Sequence, residues 1–172
     1  MLYVKGFLVA LQGVPVTVGV TLIAMVTGVV LGLVLALMKM SKILPLRWLS
    51  AIYVEVIRGT PMLLQLYFFY FGLPMLIPAL NKQKLLCICI ALICNSAAYV
   101  SEVIRSGIQA VDPGQTEAAL SLGFNKKQTM WYIVLPQAVK NILPALGNEF
   151  IMIVKDTSLA STFFVGELMT QY

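Results

Sequence analysis

Histidine is absent from the sequence, and charged residues make up only 11% of it. Without histidine, the chain cannot form a Ser-His-Asp or Cys-His nucleophilic site, and it lacks the commonest ligand of zinc, iron and copper. The scarcity of charge argues against a water-soluble domain, in which about a quarter of the residues are charged. Because 60% of the residues are apolar and the mean hydropathy is +0.92, the composition predicts a protein whose solvent is the lipid bilayer. We expect no metal site and no cofactor.

Two further kinds of site are disfavoured by what the sequence does contain. Its cysteines, Cys87, Cys89 and Cys94, share one apolar stretch, where thiols pack as small hydrophobic groups rather than as redox centres. The net charge of +5 is small for so apolar a chain, and it indicates basic cytoplasmic loops rather than a nucleic-acid partner.

Long uncharged stretches divide the chain into four predicted membrane-spanning helices. The first is long enough to cross the hydrocarbon core, and its Gly28 and Gly32 would let another helix approach closely. Before the second span, residues 46–58 mix Trp48 and charged residues with apolar ones, which is typical of an interfacial helix. The predicted spans are residues 14–38, 59–80, 85–104 and 142–165.

Charged residues near the ends of these spans suggest local pairing. Glu102 and Arg105 are three residues apart at the end of the third span, and Glu55 and Arg58 repeat that spacing before the second, so both pairs are expected to form on their helices. The fourth span is interrupted by Pro144 and several polar residues, which predicts a broken or polar-lined helix.

Basic residues give the expected orientation, because cytoplasmic loops carry an excess of lysine and arginine. If the long loop of residues 105–140 is cytoplasmic, most basic residues lie inside and the N-terminus lies outside a bacterial cell membrane. The inside set is Lys39, Lys42, Arg47, Arg58, Arg105, Lys126, Lys127 and Lys140, against Lys5, Lys82 and Lys84 outside.

The loop of residues 105–140 predicts two short helices at an angle. Asp112 followed by Pro113, with Gln115 three residues on, is a capping-box start for a helix over residues 113–122. Gly123 supplies the left-handed residue that ends it. Asn125 repeats the cap signal and opens a second short helix, after which Pro136 is expected to restart the chain toward the membrane.

The spacing of seven residues in this loop resembles the EAA loop of ABC-importer permeases at every position. The residues are Glu117, Ala118, Ala119, Gly123, Ile133, Leu135 and Pro136. The resemblance implies an all-α, polytopic membrane helix bundle of the type I ABC importer kind, with cytoplasmic coupling helices that dock on an ABC ATPase dimer. A capped helical hairpin without a partner is the alternative. The sequence has no Gly-x-x-x-x-Gly-Lys-Ser/Thr loop, so ATP is expected to be handled by a separate chain.

Further motifs resemble the polar amino-acid uptake branch of these permeases, which moves histidine, glutamine, arginine and opines. They are Arg58-Gly59-Thr60-Pro61, Gly72-Leu73-Pro74, Leu143-Pro144, Asn148-Glu149-Phe150 and Lys155-Asp156-Thr157-Ser158-Leu159. The resemblance implies a second permease subunit, identical or similar, an extracellular solute-binding protein, and a transport role rather than an enzymatic one. This branch usually has a fifth membrane helix, so we expect residues 1–172 to be a single, C-terminally incomplete transmembrane domain.

Two carboxylates in the fourth span are the main candidates for a substrate path. Glu149 and Asp156 fall on one helical face with Ala145 and Met152, and a buried ionisable group in a membrane is a functional candidate by default. Such a face should line a cavity, where carboxylates attract an ammonium group. The alternative is that Asp156 balances Lys155, or that Glu149 pairs with a base on another helix.

Four uncharged polar residues are further path candidates. Thr157 and Ser158 could present hydroxyls to a ligand, or could instead bond within their own helix. Thr60 and Gln65 could face the path, or could instead join helices through hydrogen bonds.

Two other functions remain open on the sequence alone. A secondary transporter or channel would use Glu149 and Asp156 to carry protons or cations. A truncated, non-transporting remnant is the second alternative.

Overall fold

The computed structural model describes residues 14–163, and these form helices and turns with no strand. Lys5 and residues 164–165 of the fourth predicted span lie outside them. The elements are α1 Val14–Met40, α2 Leu44–Gly59, α3 Met62–Tyr67, a π-helical turn Phe68–Gly72, α4 Leu73–Leu76, a 3₁₀ turn Pro78–Lys82, α5 Lys84–Gln109, α6 Pro113–Ser121, α7 Lys126–Gln128, a second π-helical turn Thr129–Val134, α8 Leu135–Thr157 and a 3₁₀ turn Ser158–Phe163.

Helices α1 and α5 form the centre of the bundle, and both are long and apolar enough to cross a membrane. They pack very closely, because a Cβ atom added to Gly28 would collide with Ser96, and one added to Gly32 would lie 2.8 Å from Val100. Residue numbers rise together along the contact, so the two helices run parallel. The close approach predicted from the glycine spacing is confirmed.

Helix α2 contains residues 46–58, the stretch expected to form an interfacial helix leading into the membrane, and it bonds to both α1 and α5. The Ser50 hydroxyl donates to the Leu35 carbonyl at 2.7 Å, and the Tyr53 hydroxyl donates to the Cys94 carbonyl at 2.8 Å. Cys94 lies near the middle of α5, so α2 reaches that depth beside α1 and α5. The hydroxyls of Ser50 and Tyr53 thus point inward, while Trp48 and Glu55 are exposed. The interfacial placement itself stays a prediction.

Residues 59–80 were predicted as one span, and within them a continuous helical path runs from Met62 to Leu76. Thr60 is extended, with φ −111° and ψ 140°, because the residue before a proline is driven out of the helical region. Pro61 then begins α3, and the π-helical turn and α4 follow. The result is a bend between α2 and α3, which we call the elbow (residues 58–62).

Glu102 anchors the end of α5 to α1. Lys39 Nζ lies 3.2 Å from Glu102 Oε2, and Arg105 bonds the same carboxylate from one turn away, which confirms the predicted Glu102–Arg105 pair. The predicted pairing of Glu55 with Arg58 is wrong. Glu55 is largely exposed, 3.9 Å from Lys39, and Arg58 points elsewhere.

Helices α7 and α8 are one continuous path rather than two elements separated at Pro136. Asn125 and Gln128 form the predicted capping box, with both bonds at 3.0 Å. The π-helical turn follows, in which the Leu135 amide bonds the Met130 carbonyl. The wider turn accommodates Pro136, which lacks an amide and would crowd the carbonyl of a regular preceding turn. Helix α8 continues unbroken through Pro144, so the fourth predicted span is polar-lined rather than broken.

Helix α8 packs antiparallel against α5. Gly107 leaves room for Ile142, whose side chain occupies the space of a Cβ atom at that position, and Asn141 Nδ2 donates to the Gly107 carbonyl at 3.4 Å. Ala138 is fully buried in the same contact region. This crossing carries the later turns of α8 past the middle of α5 and toward the elbow.

Candidate functional site

A cavity of about 340 Å³ lies where the elbow, α5 and α8 meet. The elbow closes one side, and α5 and α8 supply the others. Its lining residues are Arg58, Gly59, Thr60, Pro61, Met62, Asn95, Tyr99, Glu149, Met152 and Asp156.

Helical periodicity explains why these side chains meet. Glu149, Met152 and Asp156 are three and four residues apart, so they project from one face of α8, with the carboxylates about 10 Å apart along the axis. All three line the cavity, which confirms that this face borders a cavity. Ala145, predicted on the same face, is not among the lining residues.

The cavity contains two carboxylates that form no ion pair within the described part of the chain. Glu149 is buried, with 8% of its surface exposed, and Asp156 is partly buried. Within residues 14–163, neither carboxylate has a hydrogen-bond or ion-pair partner. Lys155 is exposed and makes no ion pair with Asp156, so that alternative has no support in the described part of the chain.

A cation lies in the same cavity, and it was missed as a site residue. The guanidinium of Arg58 lies over the Tyr99 ring, with Cζ 5.1 Å from the ring centroid. Among the described residues it makes no ion pair with a carboxylate. One positive and two negative side chains therefore share this cavity without direct pairing.

Gln65 is a structural link between helices. Its side-chain Nε2 donates to the Ile57 carbonyl at 2.7 Å and to Thr60 Oγ1 at 2.9 Å, and its Oε1 accepts from Asn95 Nδ2 at 3.1 Å. Buried and fully bonded, Gln65 ties the elbow to α5 and does not line the cavity. Thr60 belongs to the link and to the lining.

Thr157 and Ser158 bond within their own helical segment. The Thr157 hydroxyl donates to the Val154 carbonyl at 2.7 Å, and the Ser158 hydroxyl donates to the Lys155 carbonyl. Neither residue lines the cavity. The bonds are the helix-internal ones that the sequence left open as the alternative.

A second candidate site is the helix α6 and the turn that follows it. The Asp112 side chain caps α6 by accepting from the Gly114 amide at 2.7 Å, while Gln115 lies near Gln137 instead of closing the expected capping box. The helix ends at Ser121, and Gly123 has the predicted left-handed conformation, with φ 89°. The chain then turns sharply into α7.

The motif residues of this region divide into an inner and an outer set. Ala119 is buried where α6 lies against the second π-helical turn. Glu117, Ala118 and Pro136 are exposed, and Ile133 and Leu135 are partly buried. Leu122, at the tip, is 80% exposed, and an apolar side chain so exposed is suited to contact with another protein.

A family model described as the binding-protein-dependent transport system inner membrane component matches residues 28–172. The chain belongs to this family. It is therefore a membrane permease subunit, a transport component and not an enzyme, with the all-α fold of type I ABC importers.

Individual relatives of this permease are similar along almost its whole length. The probable amino-acid permease protein YxeN of Bacillus subtilis is 41% identical over 169 residues, covering 98% of this chain and 75% of the relative. The arginine transport system permease protein ArtQ of Bacillus subtilis is 42% identical over 159 residues, covering 92% of this chain and 72% of the relative.

A solved structure has the same fold as the permease. The crystal structure of an amino acid ABC transporter with histidines matches with a TM-score of 0.89 and 47% sequence identity, covering 98% of this chain and 78% of that one. The secondary transporter or channel alternative is not supported by these similarities.

Three polar lining residues of the permease cavity were missed by sequence reasoning. Arg58 was assigned to Glu55, although the Gly-Thr-Pro that follows it signals a helix end where a side chain can turn away. Asn95 and Tyr99 are four residues apart, so they lie on one face of an otherwise apolar helix. That spacing was a readable signal for a polar face.

Proposed function

We propose that this permease moves an amino acid through the cavity between the elbow, α5 and α8. The single observation that carries the proposal is the set of charged side chains there that form no ion pair within residues 14–163: Glu149 and Asp156 on α8, and Arg58 at the end of α2. An amino acid has the complementary pair, an ammonium group and a carboxylate. The two acids suit the ammonium group, and the guanidinium suits the carboxylate.

Energetics support a ligand of this kind over an empty site. An unpaired charge in a membrane protein costs several kcal/mol unless it faces water or a partner. A zwitterionic ligand would satisfy both signs at once, and the volume of about 340 Å³ falls at the small end of ligand pockets. A purely anionic ligand would leave the two carboxylates opposed, and a purely cationic one would leave Arg58 unpaired.

The relatives support the same class of substrate. Their names assign them to amino acids in general and to arginine, and another relative from Bacillus subtilis is the L-cystine transport system permease protein TcyB. These names agree on a free amino acid and differ on the side chain. The proposal accordingly extends to the α-amino and carboxylate groups, with polar amino acids as the expected class.

ATP-driven movement would reach the cavity through α6. We infer that α6 and the turn at Gly123 dock on a cytoplasmic ABC ATPase, one ATPase for each of two permease subunits. The exposed Ala118 and Leu122 support this inference, because small and apolar surface at a protruding helix tip fits a cleft on a partner. The continuous path from α7 to α8 would then carry a displacement of the tip to Glu149 and Asp156, giving alternating access.

The remaining assembly follows from the same placement. The docking helix α6 would lie in the cytoplasm with the basic residues around it, which puts the N-terminus outside. An extracellular solute-binding protein would deliver the amino acid on the opposite side, and lipid would cover the exposed apolar surface of α1.

The test is uptake by proteoliposomes that contain the permease with its ATPase and its solute-binding protein. We expect ATP inside the vesicles to drive accumulation of at least one of ¹⁴C-labelled arginine, glutamine and cystine. Glu149→Gln and Asp156→Asn should each reduce it, whereas Glu55→Gln, which alters an exposed carboxylate outside the cavity, should not. Wild-type uptake by a double Glu149→Gln, Asp156→Asn variant would contradict the proposal.

A further inference from the structure

Tyr99 has a position that the proposed function does not by itself explain. It lies on α5, and its ring faces the Arg58 guanidinium, with Cζ 5.1 Å from the ring centroid. A guanidinium within about 6 Å of an aromatic face is attracted to it. A cation–π contact uses none of the five N–H donors of the guanidinium, so they stay available to a ligand.

The contact with Tyr99 matters because Glu55, the acidic residue nearest to Arg58 in the sequence, does not pair with it. Glu55, three residues earlier on α2, lies near Lys39 instead. No hydrogen bond of the Arg58 side chain is found among the described residues. A long, unrestrained arginine side chain would sample many rotamers, and fixing it in one of them when a ligand binds would cost conformational entropy.

An unrestrained Arg58 would also have a competing partner inside the cavity. Glu149 is buried, lines the same cavity and has no ion-pair partner among the described residues. Opposite charges at low dielectric attract strongly at short range, so a free guanidinium would be drawn toward that carboxylate. Such a pair would neutralise the two groups that an amino acid needs.

We propose that Tyr99 is a positioning residue, whose ring holds the Arg58 guanidinium at the cavity wall and apart from Glu149, so that both charges stay available to the amino acid. The inference rests on the proposed function, since it assigns Arg58 to the substrate carboxylate. It adds the reason why acid and base coexist unpaired in one small cavity.

The test measures binding to the purified complex of the permease and its ATPase. The solute-binding protein is left out, because it would otherwise determine the apparent affinity of uptake. The probes are ¹⁴C-labelled L-arginine and L-glutamine, each compared with the corresponding amine that lacks the carboxylate, agmatine for arginine and 4-aminobutanamide for glutamine. The variants are Tyr99→Leu, Tyr99→Phe, Arg58→Gln and the Tyr99→Leu, Arg58→Gln double.

Tyr99→Leu is expected to raise the Kd of the bound amino acid about 3- to 30-fold, the range that corresponds to loss of a cation–π contact. Tyr99→Phe keeps the ring and should stay within about twofold of the wild type. Tyr99→Leu should raise the Kd of the amine less than that of the amino acid, because the amine loses only the availability of Glu149, whereas the amino acid loses that of Arg58 as well. In the Arg58→Gln background it should have no further effect on the amino acid.

Three results would overturn the inference while leaving the proposed function intact, provided that Arg58→Gln itself weakens binding of the amino acid. The first is a Tyr99→Phe variant that binds the amino acid as weakly as Tyr99→Leu does, which would mean a direct contact of the hydroxyl. The second is an equal rise in Kd for the amino acid and the amine, which would mean general damage to the cavity. The third is a Kd of the double variant that combines the full effects of both single changes. If Arg58→Gln leaves binding of the amino acid unchanged, the assignment of the carboxylate in the proposed function fails, and the inference fails with it.

Discussion

Replacing Asp156 by asparagine separates a ligand-binding carboxylate from one that only balances a neighbouring lysine. Asparagine keeps the size and hydrogen-bonding capacity of the side chain and removes its charge. A hydrogen bond to a charged group contributes about 1.5–3 kcal/mol, so losing it should raise Kd roughly 10- to 100-fold. Asp156 lines the cavity and makes no ion pair with the exposed Lys155, so the variant leaves no buried cation unpaired and should still insert and fold.

The assay is equilibrium dialysis of ¹⁴C-labelled arginine and glutamine against the purified permease with its ATPase, together with the abundance of each variant in the membrane. Lys155→Gln is the matched control, one residue away and outside the cavity, and it should bind as the wild type does. The reasoning would be refuted if Asp156→Asn bound normally, or if adding Lys155→Gln to Asp156→Asn restored binding. Either result would mean that Asp156 does not bind the ligand and only balances the charge of a neighbouring group.

Three substitutions test other parts of the structure. Gly123→Val should place a β-branched residue at φ 89°, at a cost of at least about 1–2 kcal/mol, and should abolish ATP-driven uptake while Gly123→Asn, which tolerates this conformation, retains most of it. Gly28→Val should collide with Ser96 and lower the free energy of unfolding by about 1–3 kcal/mol, which would lower the melting temperature. As the control, Gly19→Val adds a Cβ atom that meets no atom within 4 Å, so this variant should melt as the wild type does. Equal melting temperatures of the two variants would count against the close helix contact. Gln65→Leu should leave buried polar groups unpaired, at about 1–3 kcal/mol for each, so an unchanged melting temperature would mean that the link is dispensable.

Local signals in the sequence predicted the helix caps of the loop of residues 105–140 well. Capping chemistry is decided within a few residues, so Asp112, Gly123 and Asn125 could each be assigned from their neighbours alone. The structure departs from the prediction at Gln115 and Pro136, where the decision is not local. Gln115 lies near a glutamine 22 positions away, and Pro136 is accommodated by a π-helical turn that no short motif announces.

For the apolar helices, the sequence predicted the properties of single helices better than the contacts between them. Uncharged stretches located α1 and α5, and spacing placed Glu149 and Asp156 on one face, because both properties depend on a single helix. The position of α2 depends on hydroxyl bonds to other helices, and that of Arg58 depends on a ring 41 positions away. Amphipathic spacing cannot distinguish a polar side chain that faces lipid headgroups from one that bonds a carbonyl inside the bundle.

The most direct test of the account is a structure of the full importer with the transported amino acid bound in the permease. We expect the ammonium group within hydrogen-bond distance of Glu149 or Asp156, and the carboxylate at the edge of the Arg58 guanidinium. The Tyr99 ring should keep its contact with that guanidinium. An amino acid bound outside the cavity, or bound with Arg58 and Glu149 paired to each other, would contradict the account.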